Sequence, residues 1–245
     1  MRIANLLNKI ALPGRTPLHP LIARNNQLFK PGAEYHRPLQ EYDFVVLDTE
    51  LTGFNRKQDE IVAIGAVRIR DLKIRCGETF YALVRPDERF HTKSTLVHRL
   101  TPQELHSAAS LEEVLPRFVE FCGDAFLVGH FVRLDLEFIA RASKKIMGGV
   151  LTTPYFDTMC LAMAYNDFCH GSYSDHITRQ GAYTLSALSN EFGLPPFLEH
   201  NALQDSMQTA YLFLYLIKKM RQMRLQTMQE YLVAGRNRSM LWWPY

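Results

Sequence analysis

Three apolar, β-branched runs follow one another at residues 44–47, 61–69 and 74–84, separated by the polar breaks 55–60 and 71–73. Short runs of this composition are strands buried in a sheet, and links this brief join neighbours antiparallel, so a three-stranded meander is expected. From Thr101-Pro102, a helix-start signal, the period becomes helical. Leu111, Val114, Leu115 and Phe118 form one stripe that closes near Gly123. Residues 125–128 read as a fourth strand, and Leu134, Phe138 and Ile139 mark a helix reaching Gly148-Gly149. A fifth strand is expected near Tyr155-Phe156, then a helix over 158–165, a polar surface loop over 169–180 and a short helix over 184–192. Residues 202 to about 233 read as one long helix with Ala210, Phe213, Leu214 and Ile217 on one stripe. This order implies an α/β protein whose mixed, roughly five-stranded sheet is flanked by helices on both faces.

A chain of 245 residues, 47% of them hydrophobic, suffices for one well-buried domain with extensions. No apolar run approaches the roughly 20 residues that cross a bilayer, so no membrane partner is expected. The formal net charge of +3 conceals a partition. Residues 1–40 carry six basic side chains against one acid, residues 218–245 again six against one, and residues 41–217 carry 16 against 23. The chain therefore divides into a basic N-terminal arm (1–40), an acidic body (41–217) and a basic C-terminal end with the aromatic tail Trp242-Trp243-Pro244-Tyr245. Basic ends either are solvated termini or attract a polyanion. In the arm, Ile3, Leu6, Leu7 and Ile10 share one face of a short amphipathic helix, and five prolines make the remainder irregular. The four cysteines match no paired metal or redox spacing, and Asn5, Asn8 and Lys9 interrupt any signal peptide, so reduced thiols and a cytoplasmic location are expected.

The first strand ends in Asp48-Thr49-Glu50. A strand's period of two puts both acids on one face, where like charges repel unless a cation neutralises them. Such a pair also starts many solvated turns. Asp135 lies just past the fourth strand, and Asp205 in the first turn of the long helix; the helix dipole alone favours an acid at either place. His200, five residues before Asp205, adds a titratable imidazole to the approach of that helix.

Asp48-Thr49-Glu50-Leu51-Thr52-Gly53, the run from Gly129-His130 to Asp135, and His200 followed five residues later by Asp205 together resemble the DnaQ-like, or DEDDh, 3′-to-5′ exonucleases. Asn commonly follows the histidine of the second motif, and here Phe131 stands in its place. The resemblance covers roughly residues 42–217 and implies a ribonuclease H-like three-layer fold. It implies that Asp48, Glu50, Asp135 and Asp205 hold two divalent ions, Mg2+ with Mn2+ able to substitute, and that His200 is the general base. It implies further that Leu51, Thr52, Gly53 and His98 contact the terminal nucleotide. Asp157, by its place before a helix, is expected to fix the helix start rather than to bind metal. The implied activity is hydrolysis from the 3′ end of single-stranded DNA, in proofreading or repair, releasing nucleoside 5′-monophosphates. RNA or oligoribonucleotide trimming, and a polymerase-accessory module that binds nucleic acid, remain open as alternatives. A DNA polymerase is one candidate partner. A sliding clamp is another, since Asn26-Gln27-Leu28-Phe29 faintly resembles a clamp-docking peptide.

Overall fold

The computed structural model describes residues 16–86, 100–170, 181–197 and 200–236. The helix expected at residues 3–10, His98, residues 171–180 of the expected loop and the aromatic tail lie outside the described residues. The strands are β1 (Phe44–Leu51), β2 (Ile61–Arg70), β3 (Lys73–Leu83), β4 (Phe126–Gly129) and β5 (Tyr155–Asp157). The helices are α1 (Pro20–Leu28), α2 (Pro102–His106), α3 (Leu111–Cys122), α4 (Arg133–Ile146), α5 (Thr158–His170), α6 (Leu185–Glu191), α7 (Ala202–Met220) and α8 (Met228–Arg236).

The sheet order is β3-β2-β1-β4-β5. The expected meander is present, with β1, β2 and β3 paired antiparallel, while β4 and β5 run parallel to β1. Central β1 shows the two-residue period. Val45, Leu47 and Leu51 enter one core with Val114, Leu115 and Phe118 of α3 and Phe138 and Ile139 of α4. Phe44 and Val46 enter a second core with Phe213, Leu216 and Ile217 of α7 and Leu161 of α5. Each such side chain, fully buried, contributes about 1.5–3 kcal/mol, so the sheet is stabilised from both faces.

Two elements depart from the sequence expectation. Part of the supposedly irregular arm is the helix α1, where Pro20 starts the helix and the His19 imidazole accepts from the Leu21 N–H at 3.2 Å. This helix buries Ile22 and Asn25; the Asn25 amide donates to Thr153 Oγ1 at 2.6 Å and accepts from the Thr152 N–H at 2.9 Å. The long helix stops at Met220, and after a 3-10 turn the chain reverses through Arg224, which is left-handed at φ 60°. It restarts as α8 behind a Thr-x-x-Glu cap, in which Glu230 Oε2 accepts the Gln226 and Thr227 N–H groups at 2.7 and 2.8 Å. A continuous apolar stripe concealed that break. Here Met228, Tyr231 and Leu232 are buried in the same core as Phe29 and Leu39, and the Tyr35 and Arg37 carbonyls accept from the Gln229 and Met228 N–H groups. The described parts of both basic ends are thus packed against the body and against each other.

Gly65 sits opposite Asp48 in the β1–β2 ladder. A Cβ there would lie 2.1 Å from the Ala202 carbonyl carbon and 2.2 Å from the Leu203 nitrogen, both backbone atoms of the first turn of α7. Only glycine lets that turn, which carries Asp205, rest on the sheet beside Asp48. Gly65→Ala is expected to cost about 1–3 kcal/mol through forced separation of α7 from β2. Gly77→Ala, where nothing lies within 4 Å, serves as the control. Chemical denaturation of both variants checks this, and equal stabilities would remove the constraint.

Candidate active site

Asp48 and Glu50 project from β1 toward α7, as Phe44 and Val46 do, and Asp205 reaches them from the first turn of α7. Among the described residues, one oxygen from each of the three lies within 4.8 Å of the others. At 4.8 Å and an effective dielectric of about 20, each pair of ionised carboxylates repels by roughly 3 kcal/mol. Protonation or a bound cation relieves that repulsion, and an all-oxygen donor set suits a hard dication.

Asp135 arrives from the other side of the sheet, on the first turn of α4, and stands outside this trio. Thr49, between the two β1 acids, holds it: the Thr49 N–H donates to Asp135 Oδ1 at 3.0 Å, and the Thr49 hydroxyl donates to the same oxygen. Sequence reasoning missed Thr49, although its place between two same-face acids already aimed it at the opposite side. Asp135 still lines one cleft of about 460 Å³ together with Asp48, Glu50, His200 and Asp205.

The electrostatics follow from crowding and burial. Burial, with Asp135, Asp205 and Glu50 nearby, holds the Asp48 carboxyl well above the usual carboxylate range. Burial lifts Asp135 to about 7 against the opposing Thr49 hydrogen bonds, and lifts Asp205 to about 6 with help from Glu50. Asp157, at the end of β5, is lifted by burial to about 6 although its Oδ1 accepts from the Met159 N–H at 3.0 Å and the Phe131 N–H at 3.1 Å. It caps the start of α5, in keeping with the role expected for it.

His200 is exposed at the cleft's rim and left-handed at φ 63°, with its backbone N–H donating to Asp205 Oδ2 at 3.0 Å. Asn201 caps α7 by accepting from the Gln204 N–H at 3.1 Å. The five-residue spacing therefore joins histidine and acid through the chain entering α7. Leu51, Thr52 and Gly53 also line the cleft, each with a structural task besides. Leu51 is buried in the core, and the Thr52 hydroxyl donates to Asp59 Oδ1 at 3.0 Å. A Cβ on Gly53 would fall 2.6 Å from the Asp59 carboxylate. Burial drives His130 down to about 4 against a hydrogen bond to the Tyr183 backbone, and its Nδ1 is 2.9 Å from Thr158 Oγ1. In the clamp-like peptide, Phe29 is buried edge-on to Phe126 at 5.3 Å, which removes the aromatic anchor that such a peptide presents.

An exonuclease family model, that of the RNase T group, matches residues 45–213, from β1 well into α7. The chain belongs to the DnaQ-like exonuclease family. All five motif residues of this exonuclease domain, Asp48, Glu50, Asp135, His200 and Asp205, fall inside the matched span. The domain is 32% identical over 196 residues to a PolC-type DNA polymerase III of Thermotoga petrophila, covering 80% of this chain and 13% of that one. It is 35% identical over 193 residues to a DNA polymerase III epsilon-like protein of Rhodobacter capsulatus, covering 78% of this chain and 26% of that one. The chain thus spans only a fraction of these relatives. Among solved structures the fold is similar to exonuclease X in complex with 5′-overhanging duplex DNA (TM-score 0.55, 24% identity, 78% of this chain and 99% of that one). It is also similar to Escherichia coli exonuclease I in complex with a dT13 oligonucleotide (TM-score 0.63, 16% identity, 75% of this chain and 42% of that one). No helix among the described residues is long and apolar enough to cross a membrane.

Carboxyls raised in the folded state bind more protons there than in the unfolded chain, so ion-free protein loses stability as pH rises through their folded values. His130, depressed by burial, acts in the opposite sense, but only below its unfolded value near 6.5. Between about pH 6.5 and 8 the acids act alone. The melting temperature in chelator is therefore expected to fall over that window, with Mg2+ or Mn2+ restoring it and Asp135→Asn shallowing the slope. Thermal melts across pH, with and without the ions, check this; a flat profile in chelator would contradict the crowding argument.

Proposed function

We propose that this chain is a metal-dependent 3′-to-5′ exonuclease that shortens single-stranded DNA and releases nucleoside 5′-monophosphates. The observation that carries this reading is the convergence of Asp48, Glu50 and Asp205 within 4.8 Å, beside Asp135 in the same cleft. Asp48, Glu50, Asp135 and Asp205 would hold two divalent ions, with Mg2+ the natural choice and Mn2+ a substitute. Bound there, such ions would supply charge stabilisation for a displacement at phosphorus. Thr49 fixes one oxygen of Asp135, which lines the cleft. His200, on the exposed rim and tethered to Asp205 through its backbone, takes the proton from the attacking water. The loop at Leu51, Thr52 and Gly53 faces the strand end, and His98 completes the contacts to the terminal nucleotide. The similarity to polymerase III proteins supports a replication or repair setting with a polymerase partner, acting in the cytoplasm.

The test uses matched single-stranded DNA and RNA, labelled at the 5′ end, with Mg2+ or Mn2+. The expected outcome is mononucleotide release from DNA, abolished by Asp48→Ala and slowed about 10²- to 10⁴-fold by His200→Ala. Preference for RNA would overturn the DNA assignment, and undiminished release by Asp48→Ala would overturn the catalytic reading. A second expectation concerns Thr49. Thr49→Val removes only the hydroxyl donor to Asp135 and should raise the Mg2+ concentration needed for half-maximal activity, whereas Thr49→Ser should restore it; equal Mg2+ dependence in all three proteins would dismiss that role.

A further inference from the structure

The residue after His130 occupies a backbone conformation that its side chain does not favour. Phe131 lies at φ 52°, in the left-handed region where a Cβ crowds the following carbonyl and which asparagine tolerates better than a bulky residue. Its surroundings impose the conformation: the Phe131 N–H is taken by the buried Asp157 carboxylate at 3.1 Å, and that same oxygen accepts from the Met159 N–H at the start of α5. The consequence is the placement of the ring. Phe131 is 38% exposed, stands edge-on to the His130 ring at 4.9 Å, and lines the cleft that holds Asp48, Glu50, Asp135 and Asp205. A strained position maintained beside reacting groups points to use rather than accident.

We propose that Phe131 is a substrate-binding residue whose ring stacks on a nucleobase at the strand end. This rests on the nuclease reading above. Within a nucleic acid, the phosphates suit the carboxylate side of the cleft once cations are bound, and only a base offers a flat apolar face to an exposed phenyl ring. A base must leave its partner and neighbour to present that face, so the contact favours an unpaired end. Every base has such a face, so the contact is indifferent to sequence. An asparagine at this position relieves the backbone and forgoes the stacking; the phenyl ring does the reverse.

The experiment compares the full chain with Phe131→Leu, Phe131→Asn and Phe131→Tyr on two short single-stranded DNAs, one ordinary and one with abasic residues at its last two positions. On the ordinary strand, Phe131→Leu and Phe131→Asn are expected to raise KM on the order of ten-fold with little change in kcat, and Phe131→Tyr to behave as the parent. On the abasic-ended strand, parent and Phe131→Leu should have the same KM. Phe131→Asn should melt no lower than the parent, which separates loss of binding from loss of folding. An unchanged KM for Phe131→Leu on the ordinary strand, or a difference that persists on the abasic one, overturns the stacking role while leaving the nuclease reading intact. A parent chain inert on both strands overturns that reading, and this assignment with it.

Discussion

Mutual repulsion among carboxylates at one end of a buried strand is the constraint around which this molecule is arranged. Asp48, Glu50 and Asp205 share a space less than 5 Å across, and burial raises the cost of keeping Asp48 and Asp205 charged. The surrounding structure opposes that cost with fixed donors. Thr49 donates twice to Asp135, the His200 N–H donates to Asp205, and two backbone N–H groups donate to Asp157. These donors orient the acids and oppose, without cancelling, the burial that lifts Asp135 and Asp205. What remains is a crowded set of carboxylates whose repulsion protonation or a bound cation would relieve.

Holding the acids together requires three elements from both sides of one sheet to meet at the end of β1. The second core draws α7 down onto the sheet, and Gly65 allows its first turn to come within contact of β2. On the opposite side, Phe138 and Ile139 seat α4 in the first core and bring its first turn under Thr49. Apolar burial therefore supplies the free energy, and the two helix starts deliver the acids. The ends of the chain reinforce this frame away from the cleft, where Phe29 and Leu39 share the second core with Met228, Tyr231 and Leu232.

Much of this was legible in the residues themselves. The runs at 44–47, 61–69 and 74–84 announced the meander because buried strands have few ways to alternate, and the stripes on α3 and α7 announced their inward faces. The arm was misread because Pro20 stands where it starts a helix rather than breaks one, and α1 has only a weak apolar stripe. The division between α7 and α8 was misread because residues on both sides of Arg224 are apolar at compatible spacing. The Thr227-x-x-Glu230 cap was nevertheless there to be seen.

From the sequence alone came the identity and order of the five motif residues, since their types and spacing survive without any knowledge of packing. The same-face geometry of Asp48 and Glu50 also followed, because a strand's period is local. Tertiary structure alone decided that Asp205 joins those two acids while Asp135 is turned aside onto Thr49, for these residues lie on separate helices on opposite faces of the sheet. It likewise decided that Phe131 is held left-handed with its ring in the cleft, because the carboxylate that holds it, Asp157, is 26 residues away in the chain. Local physics names the groups, and only long-range packing sets their distances, their burial and hence their charge.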